Sequence, residues 1–325
     1  MKSKISTSIR SVGLGQKHQK NNIKIMGKKL FFITVLSVSC SFGFAQGCSD
    51  AGICSIGKGF DSDEKEVKNN IEVAAIFGTG DANITYISPY ITYTRRFNDK
   101  FSLSTKVTFS SANGDFGTRA AFGDAYLIGN FTFKEVKEKQ WSALAGWKFP
   151  FTSSDLKING FALPLDYQSS LGTFDLFLGT NLKYKKWDFN AAIQIPVFNN
   201  NQNSYFDEFS ASDDFPTTNL FERKSDALFR TMYTIKLENS KFTFKPNVLF
   251  IYHLGEDTFE NQFGERQTIA GSDGLTINGN LISVYQLNNR NSIELSLAAP
   301  FLIREIRPDG LTRGFVAGIN YRISF

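Results

Sequence analysis

Few residues of this chain could make or break a bond. Of two histidines, His18 lies in a basic stretch near the start, which leaves His253 as the one available to a folded domain. A Ser–His mechanism needs a hydroxyl beside the imidazole and a carboxylate or amide to orient it. Spacing nominates neither for His253. No Gly-rich phosphate loop or His-rich metal signature occurs either, so no catalytic residue, bound metal or cofactor is expected. Two cysteines lie close together in GCSDAGICSIG, where Cys48 and Cys54 enclose five residues. Outside the cytoplasm such a pair forms a small disulfide staple. A soft-metal or redox pair is the alternative, but it would need further ligands.

The other candidates are charges that recur at alternate positions, each opposite apolar neighbours. The acids are Glu72, Asp124, Asp175, Asp188, Asp226 and Glu294, and the cations are Arg96, Lys106, Lys148, Lys183, Arg230, Lys236, Lys245 and Arg322. Their chemistry is pairing and attraction of ions rather than bond making. Brought together in one interior, groups of opposite sign offset the desolvation each would suffer alone. A further cluster, FDEFSASDDFPTTNLFE over 206–222, mixes Asp207, Glu208, Asp213 and Asp214 with Phe206, Phe209, Phe215 and Phe221. Acids alone would solvate a loop. Four phenylalanines among them predict a lid folded into a mouth, or a surface that meets a partner. The carboxylate spacing matches no dedicated calcium loop.

The elements that position these charges are strands, because from Asn69 the chain alternates with period two. NNIEVAAIFG turns Ile71, Val73, Ala75 and Phe77 to one face and Glu72 to the other. The segment 84–97 sets Ile87, Ile91 and Tyr93 against Arg96, FSLSTKVTF sets Phe101 and Val107 against Lys106, and 121–133 sets Leu127 and Phe131 against Asp124. WSALAGWKF opposes Trp141 and Trp147 to Lys148, GTFDLFLGTNLKY opposes Leu176 and Leu178 to Asp175 and Lys183, and WDFNAAIQIPVF opposes Trp187 and Phe189 to Asp188. The segment 226–237 places Phe229 and Tyr233 opposite Asp226, Arg230 and Lys236, and FTFKPNVLFIYH places Phe242 and Phe250 opposite Lys245. After a less regular stretch at 276–286, SIELSLAAPFLI carries Glu294, and the closing GFVAGINYRISF carries Arg322 opposite Phe315, Ile319, Tyr321 and Phe325.

Twelve strands result, with fourteen the alternative if 150–171 hides a hairpin. Connections such as NDK, KEKQ, ENSK and NNRN are brief, whereas 111–119, 150–171, 199–223, 255–275 and 303–311 are mostly long and polar. An apolar outward face, aromatics near strand ends and alternation of short turns with long loops predict an all-β, transmembrane, antiparallel up-and-down barrel over 69–325. A soluble sandwich would also hide one strand face, but it does not call for charges opposite the aromatics.

The first 45 residues fit a secretory signal with a long basic n-region, an apolar run from Leu30 to Val38, and Gly43 and Ala45 at the cleavage site. Met26 is an alternative start, and Gln46 is the expected mature N-terminus. A lipoprotein with Cys40 or Cys48 acylated is the rival. Removing 1–45 takes away eight Lys or Arg and no acid, so the formal charge falls from +5 to −3. No basic stripe is left to follow phosphates, and no nucleic-acid partner is expected. Residues 46–68, polar and of mixed charge, fit a strap or short plug bearing the two cysteines. In an outer membrane the short turns and both chain ends would face the periplasm.

The runs WKFPFTSSD and LPLDYQSSLGTFDLFLGTNLKYKKWDFNAAIQIPVF, with the close GFVAGINYRISF, resemble the outer-membrane transporter family associated with meta-pathway phenol degradation. The leader closing FAQG is similar to those of Bacteroidota outer-membrane proteins, and the terminal Phe to the last strand of bacterial barrels. The resemblance implies a non-enzymatic barrel giving passive or facilitated passage to small solutes, apolar or aromatic ones included. The alternative is an accessory subunit whose lumen is occluded by salt bridges. Expected partners are outer-membrane lipid and lipopolysaccharide, the barrel assembly machinery during biogenesis, and a membrane protein met through the loops or the N-terminal strap.

Overall fold

The computed structural model describes residues 68–80, 82–210, 212–309 and 314–325. The signal segment, the strap up to residue 67 and the Cys48–Cys54 pair lie outside the described residues. Seventeen β elements follow in order: β1 Asn69–Thr79, β2 Thr85–Arg96, β3 Phe101–Gly114, β4 Gly117–Thr132, β5 Lys139–Pro150, β6 Lys157–Ile158, β7 Phe161–Ala162, β8 Thr173–Tyr184 and β9 Trp187–Asn199. They continue with β10 Asp226–Tyr233, β11 Ile235–Lys236, β12 Phe242–His253, β13 Thr258–Glu260, β14 Arg266–Thr268, β15 Gly274–Asn288, β16 Asn291–Leu302 and β17 Val316–Ser324. Among the described residues, helix is confined to two 3-10 turns, Leu165–Tyr167 and Asp207–Phe209.

Twelve strands close into a ring in the order β1-β2-β3-β4-β5-β8-β9-β10-β12-β15-β16-β17, and every neighbouring pair is antiparallel. β11 extends β10 past Thr234 and pairs with β12. The first and last strands seal the ring from Asn70↔Ser324 to Gly78↔Val316, and Asn69 and Phe325 exchange two backbone hydrogen bonds of 2.9 Å at its end. Closure leaves no unpaired strand edge, the condition a sheet must meet to sit in hydrocarbon.

The burial pattern is inverted relative to a soluble protein. Glu72 is 8% exposed, while its neighbour Val73 is 51% exposed. Ile91, Phe122, Trp141, Trp147, Leu178, Trp187, Phe229 and Leu295 also lie bare on the outside. Each such side chain gains about 1.5–3 kcal/mol on leaving water, so the outer wall requires an apolar solvent. Aromatic pairs ring both ends of the strands. Phe97–Phe101, Trp187–Tyr233 and Phe242–Tyr285 lie at the short-turn rim, and Phe122–Phe151 and Phe149–Phe174 at the long-loop rim.

Three expectations change. Residues 111–119 are not a long loop but the end of a hairpin that pairs to Gly114↔Gly117 and turns through Gly117 at φ +104°. Small residues from Ser110 to Asn113 show no contrast between faces, yet a backbone ladder needs none. Residues 150–171 do hold a hairpin, β6–β7, but its strands pair only with each other and the ring stays at twelve. Lys236, expected on the inner face, is exposed, because the break at Thr234 leaves β11 two residues long at the rim.

Candidate functional site

The inner face is built by the alternate residues that the outer face leaves over. Of the charges singled out from sequence, Glu72, Asp124, Lys148, Asp175, Asp188, Asp226 and Glu294 are buried, while Arg96, Lys106, Lys183, Arg230, Lys245 and Arg322 are half-buried. The register sets Glu72 opposite Arg322 across the closing seam, with Nε and Nη2 donating to Glu72 at 2.8 and 2.7 Å and Asn320 adding a third donor at 3.0 Å. Lys148 meets Asp175 at 2.8 Å and Thr173 at 3.0 Å. Asp188 accepts from Asn181 and Asn190, and Arg230 donates to Asn190 at 2.7 Å. Lys106 lies 4.1 Å above the Tyr90 ring and 5.5 Å from that of Tyr126.

Between these polar groups stands an apolar cluster that alternation of charge did not disclose. Tyr126, Ile128, Leu144, Phe177, Leu228, Leu249 and Ile251 pack together from β4, β5, β8, β10 and β12, and Phe177 is 0% exposed. At that level the interior beside β4, β5, β8, β10 and β12 is filled by side chains. Inward residues of β2, β3, β15 and β17 toward the short-turn rim, among them Thr92, Thr94, Ser102, Ser104, Ile282 and Arg322, stay half-exposed.

The long-loop end is covered by a cap. Arg119, buried at the wall, donates to the carbonyls of Tyr167, Gln168 and Ser110 and clamps the 165–170 segment across the mouth. Ser170 is tied to Asp124 at 2.6 Å. The run NNNQN explains the next segment: Asn199, Asn201 and Asn203 each accept from the backbone two residues on, and their amides reach Phe221, Leu171, and Ser154 with Leu163. Asn favours such side-chain turns because its short amide imitates the backbone. Two small cores hold the loops together. Ile84, Ala112, Leu163, Tyr167, Tyr205 and Phe215 form one, and Leu165, Leu171, Phe221 and Ile269 the other. Phe215 therefore turns inward, Phe206 is half-buried, and Phe209 is 73% exposed, with Asp213 and Asp214 in solvent.

Where the cap meets β10 and β12, six ionisable groups are buried together. Arg223 pairs with Asp226 and, at 3.4 Å, with Asp309, while Arg304 meets Asp309 at 2.7 Å and Asp257 at 3.8 Å. His253 presents Nδ1 to Asp226 at 2.6 Å and Nε2 to Asp257 at 2.8 Å. A carboxylate only accepts, so the ring donates from both nitrogens. Three acids then balance three cations. Burial raises the Asp309 carboxyl, but Arg304 and Arg223 outweigh it and hold the group well below the usual carboxylate range. Burial pulls the Arg223 guanidinium down, and Asp226, Asp309 and Asp257 more than reverse this. With both nitrogens engaged, His253 has none to offer a nucleophile, as a Ser–His mechanism would require. In the sequence Arg223, Asp257, Arg304 and Asp309 stand in segments whose composition predicts only polar loops, and no local spacing marks them as a cluster.

No protein-family model matches the chain, and no curated protein matches it in sequence. Among solved structures, an outer-membrane channel from Pseudomonas putida F1 is similar at a TM-score of 0.53 and 13% identity, covering 82% of this chain and 98% of that one. The NanC porin matches at 0.47 and 10% identity over 78% of this chain and 98% of its own. The CymD monoaromatic hydrocarbon channel matches at 0.42 and 9% identity over 87% and 95%. The architecture is that of bacterial outer-membrane barrels.

Proposed function

We propose that the protein is an outer-membrane channel giving small solutes passive passage, with its long-loop rim outward and both chain ends in the periplasm. The observation that carries this is the division of the inner face. An apolar cluster fills the interior across β4, β5, β8, β10 and β12, while inward Thr, Ser and Ile of β2, β3 and β15 and a few paired charges stay half-exposed. Such a wall suits neutral solutes. Two of its formal charges are engaged, Arg322 with Glu72 and Lys106 with the Tyr90 ring, and an apolar or aromatic molecule would find methyl groups and ring faces between them. The sequence resemblance to the phenol-degradation transporter family agrees with this choice of solute.

No enzymatic role is proposed. The bare outer wall would contact membrane lipid, with lipopolysaccharide at the long-loop rim, and Phe325 is the feature we assign to recognition by the assembly machinery. An occluded accessory subunit is the second reading, favoured by the cap and by the apolar cluster around Phe177. Reconstitution of the purified protein into planar bilayers and liposomes separates the two. Flux of small neutral solutes supports the channel. A sealed barrel under every condition, recovered from native membrane in a stoichiometric complex, would establish the subunit instead.

A further inference from the structure

The two ends of the barrel carry opposite charge. The five short turns, 95–101, 133–140, 184–187, 236–241 and 288–291, hold eleven Lys or Arg against four Asp or Glu, whereas the loops 151–172, 200–225, 254–273 and 303–309 hold six against fourteen. At the short-turn rim ten of the eleven cations are exposed, Arg96 being half-buried. One corner is the densest. β5 pairs with β8 so that Lys139 stands opposite Tyr184, which brings the turn before β5 beside the turn after β8. Five exposed lysines, Lys134, Lys137, Lys139, Lys185 and Lys186, gather there with two acids, Glu135 and Glu138.

Position decides which anion this corner suits. The ammonium nitrogens of Lys139 and Lys185 lie 5.7 and 5.3 Å from the centroid of one ring, that of Tyr184, and the Arg95 guanidinium lies 5.5 Å from the Phe97 ring. Tyr184 pairs in the ladder with Trp187, whose ring is 4.8 Å from that of Tyr233. Tyr and Trp of such a belt sit at the headgroup level of a bilayer. Lysines above them rest their stems on apolar surface and carry the charge to the phosphates. The backbone of the two turns adds a second observation. Lys137 and Glu138 both have positive φ, at 50° and 62°, between Val136 and Lys139, which exchange two backbone hydrogen bonds of 3.0 Å, and Lys185 has φ 56°. Gly or Asn is favoured there, as at Asn239 before β12. Lysine instead costs strain, and such strain collects where a side chain binds something. Glu138 reaches Lys185 at 3.6 Å, but both side chains are more than half exposed, so water screens the pair.

We propose that the corner formed by 134–139 and 185–186 binds the phosphate of an anionic phospholipid, with Lys139 and Lys185 as its main contacts and the acyl chains laid along the wall beside Trp141 and Trp187. Both tryptophans are almost half exposed on that wall. A lipid of net negative charge is preferred to a zwitterionic one, because five lysines against two acids leave an excess that a zwitterion does not neutralise. The inference needs only a barrel seated in a bilayer and stands whether or not the lumen conducts.

Tryptophan quenching tests it, because two of the three tryptophans, Trp141 and Trp187, flank the corner. The full-length protein carrying Trp147→Phe is reconstituted into phosphatidylcholine vesicles that contain increasing fractions of phosphatidylglycerol with dibrominated chains, and the titration is repeated with dibrominated phosphatidylcholine. The anionic lipid should quench with a relative affinity about tenfold higher at low salt, and the preference should fade in about 1 M salt, where screening is nearly complete. Lys139→Gln with Lys185→Gln should lower the preference about fivefold or more, as one or two lysines near a membrane surface imply. Lys139→Arg with Lys185→Arg should keep it, and so should Lys157→Gln on the cap. All these side chains are exposed, so each variant should retain its heat-modifiable gel mobility. Equal quenching by the two lipids in the parent, a preference indifferent to salt, or a preference unchanged in the glutamine pair overturns the proposal. Loss of the preference in the arginine pair as well would trace the effect to the turns rather than to charge, and overturns it too.

Discussion

Replacing Asp309 by Asn keeps the shape of the side chain and removes one of the three negative charges in the buried cluster under the cap. Asp309 is held by Arg304 at 2.7 Å and by Arg223 at 3.4 Å, and all three side chains are almost wholly shielded. Taking one partner from a buried ion pair costs about 3–5 kcal/mol, because the other charge stays buried without compensation. The Asn oxygen still accepts from Arg304, which puts the loss near the lower figure, about 3 kcal/mol, or roughly 150-fold in an opening equilibrium. The loss should be local. Arg304 also holds the Ser272 carbonyl, and Asp257 anchors both Ser272 and the Lys224 amide, so the cluster pins 254–273 and 303–309 rather than the ring. Hydrogen exchange read by mass spectrometry should show peptides from 254–273 exchanging on the order of 100-fold faster, with those of β1, β8 and β17 unchanged. Exchange within twofold of the parent in 254–273, or equal acceleration throughout the barrel, would refute the idea that this cluster latches the cap.

The same cluster sets a response to acid. A carboxyl held below its ordinary value stabilises the folded form at pH above its unfolded pKa, and the contribution is lost as pH falls through the lower folded value. Protection of 254–273 should therefore persist through about pH 4, where free Asp titrates, and fail only in stronger acid; in Asp309→Asn that acid step should shrink. Gly172, at φ +71°, sits where three cap segments meet, and a Cβ there would lie 3.1 Å from Asn201 Cα and from the Ser153 carbonyl carbon. Gly172→Ala should loosen the 150–172 segment by about 1–3 kcal/mol, seen as faster proteolytic nicking there in an otherwise intact barrel; an unchanged nicking rate would count against it.

The barrel was legible because its instruction is local. Alternation around Glu72, Lys148 or Arg322 is repeated within each strand, and short turns such as NDK and ENSK fix which strands are neighbours. The seam follows in part: an even number of antiparallel strands lets β1 close on β17, while the sequence leaves Arg322 to meet either Glu294 or Glu72, and only the register of the ladder selects Glu72. The cap was not legible for the opposite reason. Arg223 and Asp309 are 86 residues apart, and each stands in a loop whose composition alone says solvated. Only the ring, by bringing the ends of β10 and β12 together, makes them neighbours. The apolar cluster escaped for a subtler cause. In DLFLG the run Leu176, Phe177, Leu178 is continuous, so period two assigns Leu176 and Leu178 outward and leaves Phe177 inward without comment. A lumen tolerates an inward Phe wherever other side chains cover it, and here Tyr126 stacks near it with ring centroids 6.2 Å apart while Leu144 and Leu228 complete the cover. Polar alternation thus marks which residues face the interior, but whether the interior is filled or open depends on the volumes that meet across the ring, and those are set by residues far apart in the chain.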